Sequence, residues 1–149
     1  MKFVSFLLKG QPKFGISDGN NITDLTGKIK GAQTLKELIS NKSLQEAKDF
    51  SKKNPGKINH NEIEYLPVIP NPGKIVCVGL NYSEHVKETG RTVEQNPVIF
   101  LRVPESQTAH KQPIQRPKVS ESLDYECEMA VIMGDAGKHI KPCLLYTSP

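Results

Sequence analysis

Leu123-Asp124-Tyr125-Glu126-Cys127-Glu128-Met129-Ala130-Val131-Ile132-Met133-Gly134 is the stretch whose reading decides the fold. Taken as a strand, it sorts by parity. Odd positions are Leu, Tyr, Cys, Met, Val and Met, an unbroken apolar face. Even positions begin Asp124, Glu126 and Glu128 and then turn apolar at Ala130 and Ile132. Successive strand side chains alternate faces, so the three carboxylates line one side, about 6.5–7 Å apart along the strand. Two such groups can lean together onto one hard cation at about 2.0–2.5 Å per ligand. An isolated Glu-x-Glu is more often the wet face of an edge strand. Here the apolar continuation of the same face points the acidic end into a partly buried cleft, where like charges need a counter-ion.

The rest of the chain narrows the function classes. Its 149 residues suit one domain, or a small domain plus part of a larger one. No apolar run approaches the ~20 residues of a membrane span, so no membrane association is expected. The N-terminus lacks a secretory cleavage pattern and reads as a first strand. Three sparse cysteines, Cys77, Cys127 and Cys143, imply reduced thiols and a cytoplasmic location. Cys77 and Cys127 sit in apolar strand patterns, which predicts buried, inert thiols. The net charge of +4 arises entirely before residue 66, where 11 Lys face 7 Asp and Glu. Much of that excess lies on one helical stretch mixed with Glu37, Glu46 and Asp49. That is an ordinary solvated face, and nucleic-acid binding is not expected.

In chain order, residues 2–8 and 12–17 predict a hairpin turning near Gly10-Gln11-Pro12. Asp18-Gly19-Asn20-Asn21 is a second turn signal, followed by a short strand at Ile22–Leu25. Gln33 to Lys53 reads as one helix, ended by Asn54-Pro55-Gly56. Ile58 and Ile63–Leu66 suggest a further strand. Residues 1–66 thus form a small α+β domain. The proline-rich stretch 67–73 reads as an extended linker. Lys74–Leu80 is a buried strand opening into a short helix, with Asn81 as N-cap, Glu84 as its capping partner and Gly90 at the C-terminal end. His85 and Glu88, three apart, share a face of that helix. A carboxylate beside an imidazole raises its basicity, the local chemistry of a general base. Asn96–Arg102 is another strand. Residues 103–117 form a polar loop in which His110 reads as solvated.

Ile75-Val76-Cys77-Val78-Gly79-Leu80-Asn81-Tyr82-Ser83-Glu84-His85, then Pro97-Val98-Ile99-Phe100, then Leu123-Asp124-Tyr125-Glu126-Cys127-Glu128-Met129 together resemble the fumarylacetoacetate hydrolase family. The resemblance covers about residues 70–141. It implies an incomplete mixed β-roll over residues 74–141, a divalent cation (Mg²⁺, with Mn²⁺ or Ca²⁺ as alternatives) and a homodimer of the full-length protein. By position, Glu126 and Glu128 look like two metal ligands and His85 like the catalytic base, paired with Glu88. Asp124 lies in the same motif, and Arg102 stands where many members have Lys.

The implied activity is hydrolysis of a carbon–carbon bond in a 1,3-dicarbonyl or acylpyruvate-type 2-oxo acid. Isomerisation, decarboxylation or lyase chemistry on a related 2-oxo acid, or a non-catalytic role on the same scaffold, are the alternatives. The family draws a third metal carboxylate from further along its chain. Residues 142–149 do not match the expected continuation and read as a truncated or non-native tail. The resemblance therefore implies a fragment, inactive by itself, of a protein nearly twice as long.

Overall fold

Lys9 and Gly10 both take positive φ, 52° and 76°, and so close a two-residue hairpin whose twist matches its flanking strands. These strands are β1 (Lys2–Leu8) and β2 (Gln11–Ser17), paired antiparallel with Phe3 opposite Ile16 and Ser5 opposite Phe14. The computed structural model describes residues 1–90 and 96–141. In it β3 (Asn21–Asp24), β4 (Ile58–Asn59) and β5 (Ile63–Tyr65) complete a five-stranded sheet in the order β4-β3-β2-β1-β5. Phe14 and Ile16 on β2 meet Leu25, Ile29, Leu35, Leu38 and Ala47 in the main apolar core. A side chain at Gly15 would run into the Thr23 carbonyl on the neighbouring strand, so only glycine fits there.

The single helix expected over 33–53 is two helices, α1 (Leu35–Ser40) and α2 (Leu44–Lys53). α1 opens on a capping box, in which the Thr34 hydroxyl accepts the Glu37 amide and the Glu37 carboxylate accepts the Thr34 amide. It closes with Lys42 at φ 58°, whose amide donates to the Ile39 carbonyl while that of Ser43 reaches the Leu38 carbonyl. That is the left-handed C-terminal cap usually built on glycine. A lysine there hides the break from any reading of composition.

The 67–73 stretch has no regular structure and is docked. The Ser5 hydroxyl donates to the Val68 carbonyl, Lys36 Nζ to that of Asn71, and Ile69 packs on the core. Beyond it, β6 (Ile75–Gly79) pairs antiparallel with β7 (Val98–Arg102), Cys77 opposite Phe100. Between them lies α3 (Ser83–Glu88).

The fold is α+β, as expected, with two differences in its second half. Every strand pair among the described residues is antiparallel, so a mixed sheet is not formed there. Residues 123–133 are not a strand. A strand exists only through a hydrogen-bonded neighbour, and among the described residues the second sheet holds β6 and β7 alone. The segment stays irregular and exposed, Cys127 with it, and the expected cleft around its acids is not formed there. Residues 142–149, read above as a tail and including Cys143, lie outside the described residues.

Three substitutions test this packing by urea unfolding. Phe14→Ala should cost about 3–5 kcal/mol, because a fully buried ring leaves a cavity. Lys42→Gly should instead stabilise by roughly 0.5–1 kcal/mol, since glycine carries no penalty in the left-handed cap. Burial raises the Asp24 pKa, but hydrogen bonds from Lys13 Nζ at 2.7 Å and from the Thr26 amide outweigh it and hold the carboxyl below its ordinary 3.8. A depressed folded pKa stabilises above the unfolded value and loses that stability as pH falls through the folded one. Asp24→Asn should therefore flatten the loss of stability below about pH 4.

Candidate functional site

β6 ends at Gly79, and the chain turns sharply at Leu80, whose φ of 54° is unusual for a residue with a side chain. Tyr82, not Asn81, caps α3. Its backbone is extended and its carbonyl accepts the Val86 amide at 3.0 Å. Glu84, expected as a capping partner, pairs with Lys87 Nζ at 3.1 Å. Gly90 follows with φ 68°, in keeping with its expected place at the helix end. One residue anchors this short helix: Val86 is 2% exposed, and no other residue of α3 is buried.

His85 stands half-buried on the outer face. Its Nδ1 lies 3.8 Å from Glu88 Oε2, too long for a hydrogen bond. Its Nε2 lies 3.1 Å from Glu126 Oε1. The acidic segment therefore reaches the helix without being a strand. A second contact joins the two, for the Met129 amide donates to the Tyr82 phenolic oxygen at 3.3 Å. Further on, Asp135 Oδ1 meets Lys42 Nζ at 3.2 Å.

Three of the four expected site residues, His85, Glu88 and Glu126, thus come together. Glu128 is exposed and has no ion-pair partner among the described residues. Asp124 accepts the neighbouring Tyr125 amide in a local turn. Arg102 donates from Nε to Ser106 Oγ at 3.4 Å. Carboxylate oxygens suit a hard dication by donor type. Among the described residues, however, no group of three or more His, Cys, Asp or Glu side chains is gathered closely enough to hold one.

A polar cluster escaped the sequence reading. His60 Nε2 lies 2.9 Å from Ser17 Oγ and its Nδ1 2.6 Å from the Tyr65 hydroxyl. His110, expected to be solvated, is exposed but sets its ring edge-on to Tyr65 with centroids 4.9 Å apart. His60, Tyr65 and His110 line a shallow cleft of about 260 Å³ with Glu64, Lys111 and Gln112. The cluster and its cleft come from three stretches of the chain, at Ser17, His60–Tyr65 and His110–Gln112, which no local spacing links.

The family model described as "Fumarylacetoacetate (FAA) hydrolase C-terminal" matches residues 74–144, the span holding β6, α3, β7 and the acidic segment. This stretch belongs to the fumarylacetoacetate hydrolase family. Across 95% of its length the chain is 33% identical to Oxaloacetate tautomerase fahd2, mitochondrial, of Xenopus laevis, and spans 46% of that protein. It is 39% identical over 80 residues to Oxaloacetate tautomerase FAHD2A, mitochondrial, of Homo sapiens, covering 54% of this chain and 26% of that one. Its fold resembles that of a Mycobacterium smegmatis protein provisionally named HpcE, with a TM-score of 0.59 and 19% identity. That match covers 78% of this chain and 41% of the other. The chain spans less than half of each of these relatives.

If Val86 alone anchors α3, Val86→Ala should lower stability by about 2 kcal/mol. Lys87→Ala, exposed on the same helix, should stay within about 0.5 kcal/mol. Thermal unfolding of the two variants checks this.

Proposed function

We propose that the chain forms part of a divalent-cation-dependent enzyme of the fumarylacetoacetate hydrolase family that converts a 2-oxo acid through its enolate. The observation that carries this reading is His85, set between the Glu88 and Glu126 carboxylates on a segment that the family model covers. Glu126 and Glu128 would supply two carboxylate ligands, with further donors from outside the described residues. Mg²⁺ is the first choice by donor type, with Mn²⁺ or Ca²⁺ as alternatives. Bound there, the cation would supply Lewis-acid stabilisation of the enolate oxygen.

The protein's own part is proton transfer. Glu88 lies on the Nδ1 side of the ring and Glu126 on the Nε2 side; with Glu126 turned to a cation, Nε2 would be the nitrogen open to the substrate as base. Nε2 takes the proton from the carbon next to the substrate carbonyl. The C–H electron pair becomes the enolate, and reprotonation on oxygen gives the enol. This tautomerisation is favoured by the names of the Xenopus and human relatives. The second reading is hydrolysis of a carbon–carbon bond in an acylpyruvate-type substrate, in which His85 would deprotonate water instead; decarboxylation would use the same enolate.

The domain division at 67–73 belongs to this proposal, as does a homodimer. β6 and β7 leave Val76, Ile99 and Leu101 more than half exposed, an apolar ribbon suited to cover by another chain. The sparse cysteines fit any reducing compartment; the cytoplasm and the mitochondrion of the named relatives both remain within the proposal.

Oxaloacetate enolisation, followed by ultraviolet absorbance, tests the reading in this chain and in the longest natural form that contains it. His85→Gln should slow the enzyme form about 10²–10⁴-fold, the usual worth of a positioned base. EDTA should abolish the rate. An unchanged rate in His85→Gln would overturn the proposal. Acylpyruvate cleavage without enolisation would favour the hydrolase.

A further inference from the structure

We propose that Tyr82 is a positioning residue for the acidic segment: its phenolic oxygen, by accepting the Met129 amide, holds Glu126 and Glu128 beside α3. The effect on cation binding rests on the ligand roles proposed above, whereas the tether itself does not.

Residues 123–133 have no strand ladder to fix them, so their place depends on discrete contacts. Toward the N-domain, Asp135 pairs with Lys42. Toward α3, among the described residues, there are two polar contacts, Glu126 on His85 Nε2 and the Met129 amide on Tyr82. They differ in kind. The first is a side-chain contact to a carboxylate that must turn away to bind a cation, so it cannot hold the segment in the loaded state. The second uses main chain and occupies none of the segment's carboxylates. Among the described residues, the Tyr82 contact is the one to α3 that can persist while Glu126 and Glu128 both serve as ligands.

The backbone places Tyr82 for this task. The positive φ of Leu80 turns the chain out of β6, and Tyr82, extended at the head of α3, spends its carbonyl on Val86 and keeps its side chain free. The ring is 44% exposed, with its hydroxyl oxygen on Met129. The hydroxyl is also the one group that phenylalanine lacks, so a conservative change isolates it.

Amide hydrogen exchange and Mn²⁺ titration of wild type and Tyr82→Phe test the proposal. Loss of one exposed hydrogen bond should speed exchange at Met129 by roughly two- to tenfold, with the rates at Val86 and in β1 unchanged. Mn²⁺ affinity should fall by a similar factor. Val86→Ala serves as the structural control, since it should lower global stability without a selective effect at Met129. Unchanged exchange at Met129 in Tyr82→Phe would overturn the tether. Faster exchange with unchanged Mn²⁺ affinity would overturn the positioning role. If wild type binds no Mn²⁺, the ligand roles of Glu126 and Glu128 in this chain fail, and with them the positioning role; the exchange data still decide the tether.

Discussion

The contact between His85 Nε2 and the Glu126 carboxylate joins two parts of the chain that no secondary structure connects. One partner is fixed by a helix with a single buried anchor, the other sits on an exposed, irregular segment. An exposed side-chain contact of this kind contributes little free energy by itself. Its importance is geometric, because it brings an imidazole and the acidic motif to the same place. Everything proposed about the chemistry requires that meeting.

Periodicity and pairing give different kinds of information. The parity of residues 123–133 is that of a strand with an acidic face, yet the backbone forms no ladder. Alternation states which faces a strand would present, while ladder formation needs a partner with free amides and carbonyls at the right spacing. Among the described residues the segment pairs with no strand, and the second sheet holds β6 and β7 alone. The proximity of Glu126 to His85 survives because it depends on side chains and on the Tyr82 contact.

The N-terminal sheet was largely legible for a local reason. Gly10, the Asp18–Asn21 turn and alternating apolar residues encode hairpins within a few positions of one another. The helix division at Lys42 was not, because a lysine occupies the left-handed position and apolar spacing continues across it. His85 with Glu88 could be read from i,i+3 spacing alone. Their approach to Glu126, about forty positions away, rested on the family resemblance. The Ser17–His60–Tyr65–His110 cluster was illegible because it is assembled across a sheet edge and a distant loop, with no repeat or spacing to mark it.

Mn²⁺-induced broadening of the histidine ring proton resonances tests the central claim most directly, since the effect falls steeply with distance from the ion. With four histidines in the chain, the rings report separately on the acidic segment and on the N-terminal sheet. The account predicts that His85 broadens first and that Glu126→Gln combined with Glu128→Gln removes the effect. Broadening that spares His85, or that survives the double substitution unchanged, would contradict it.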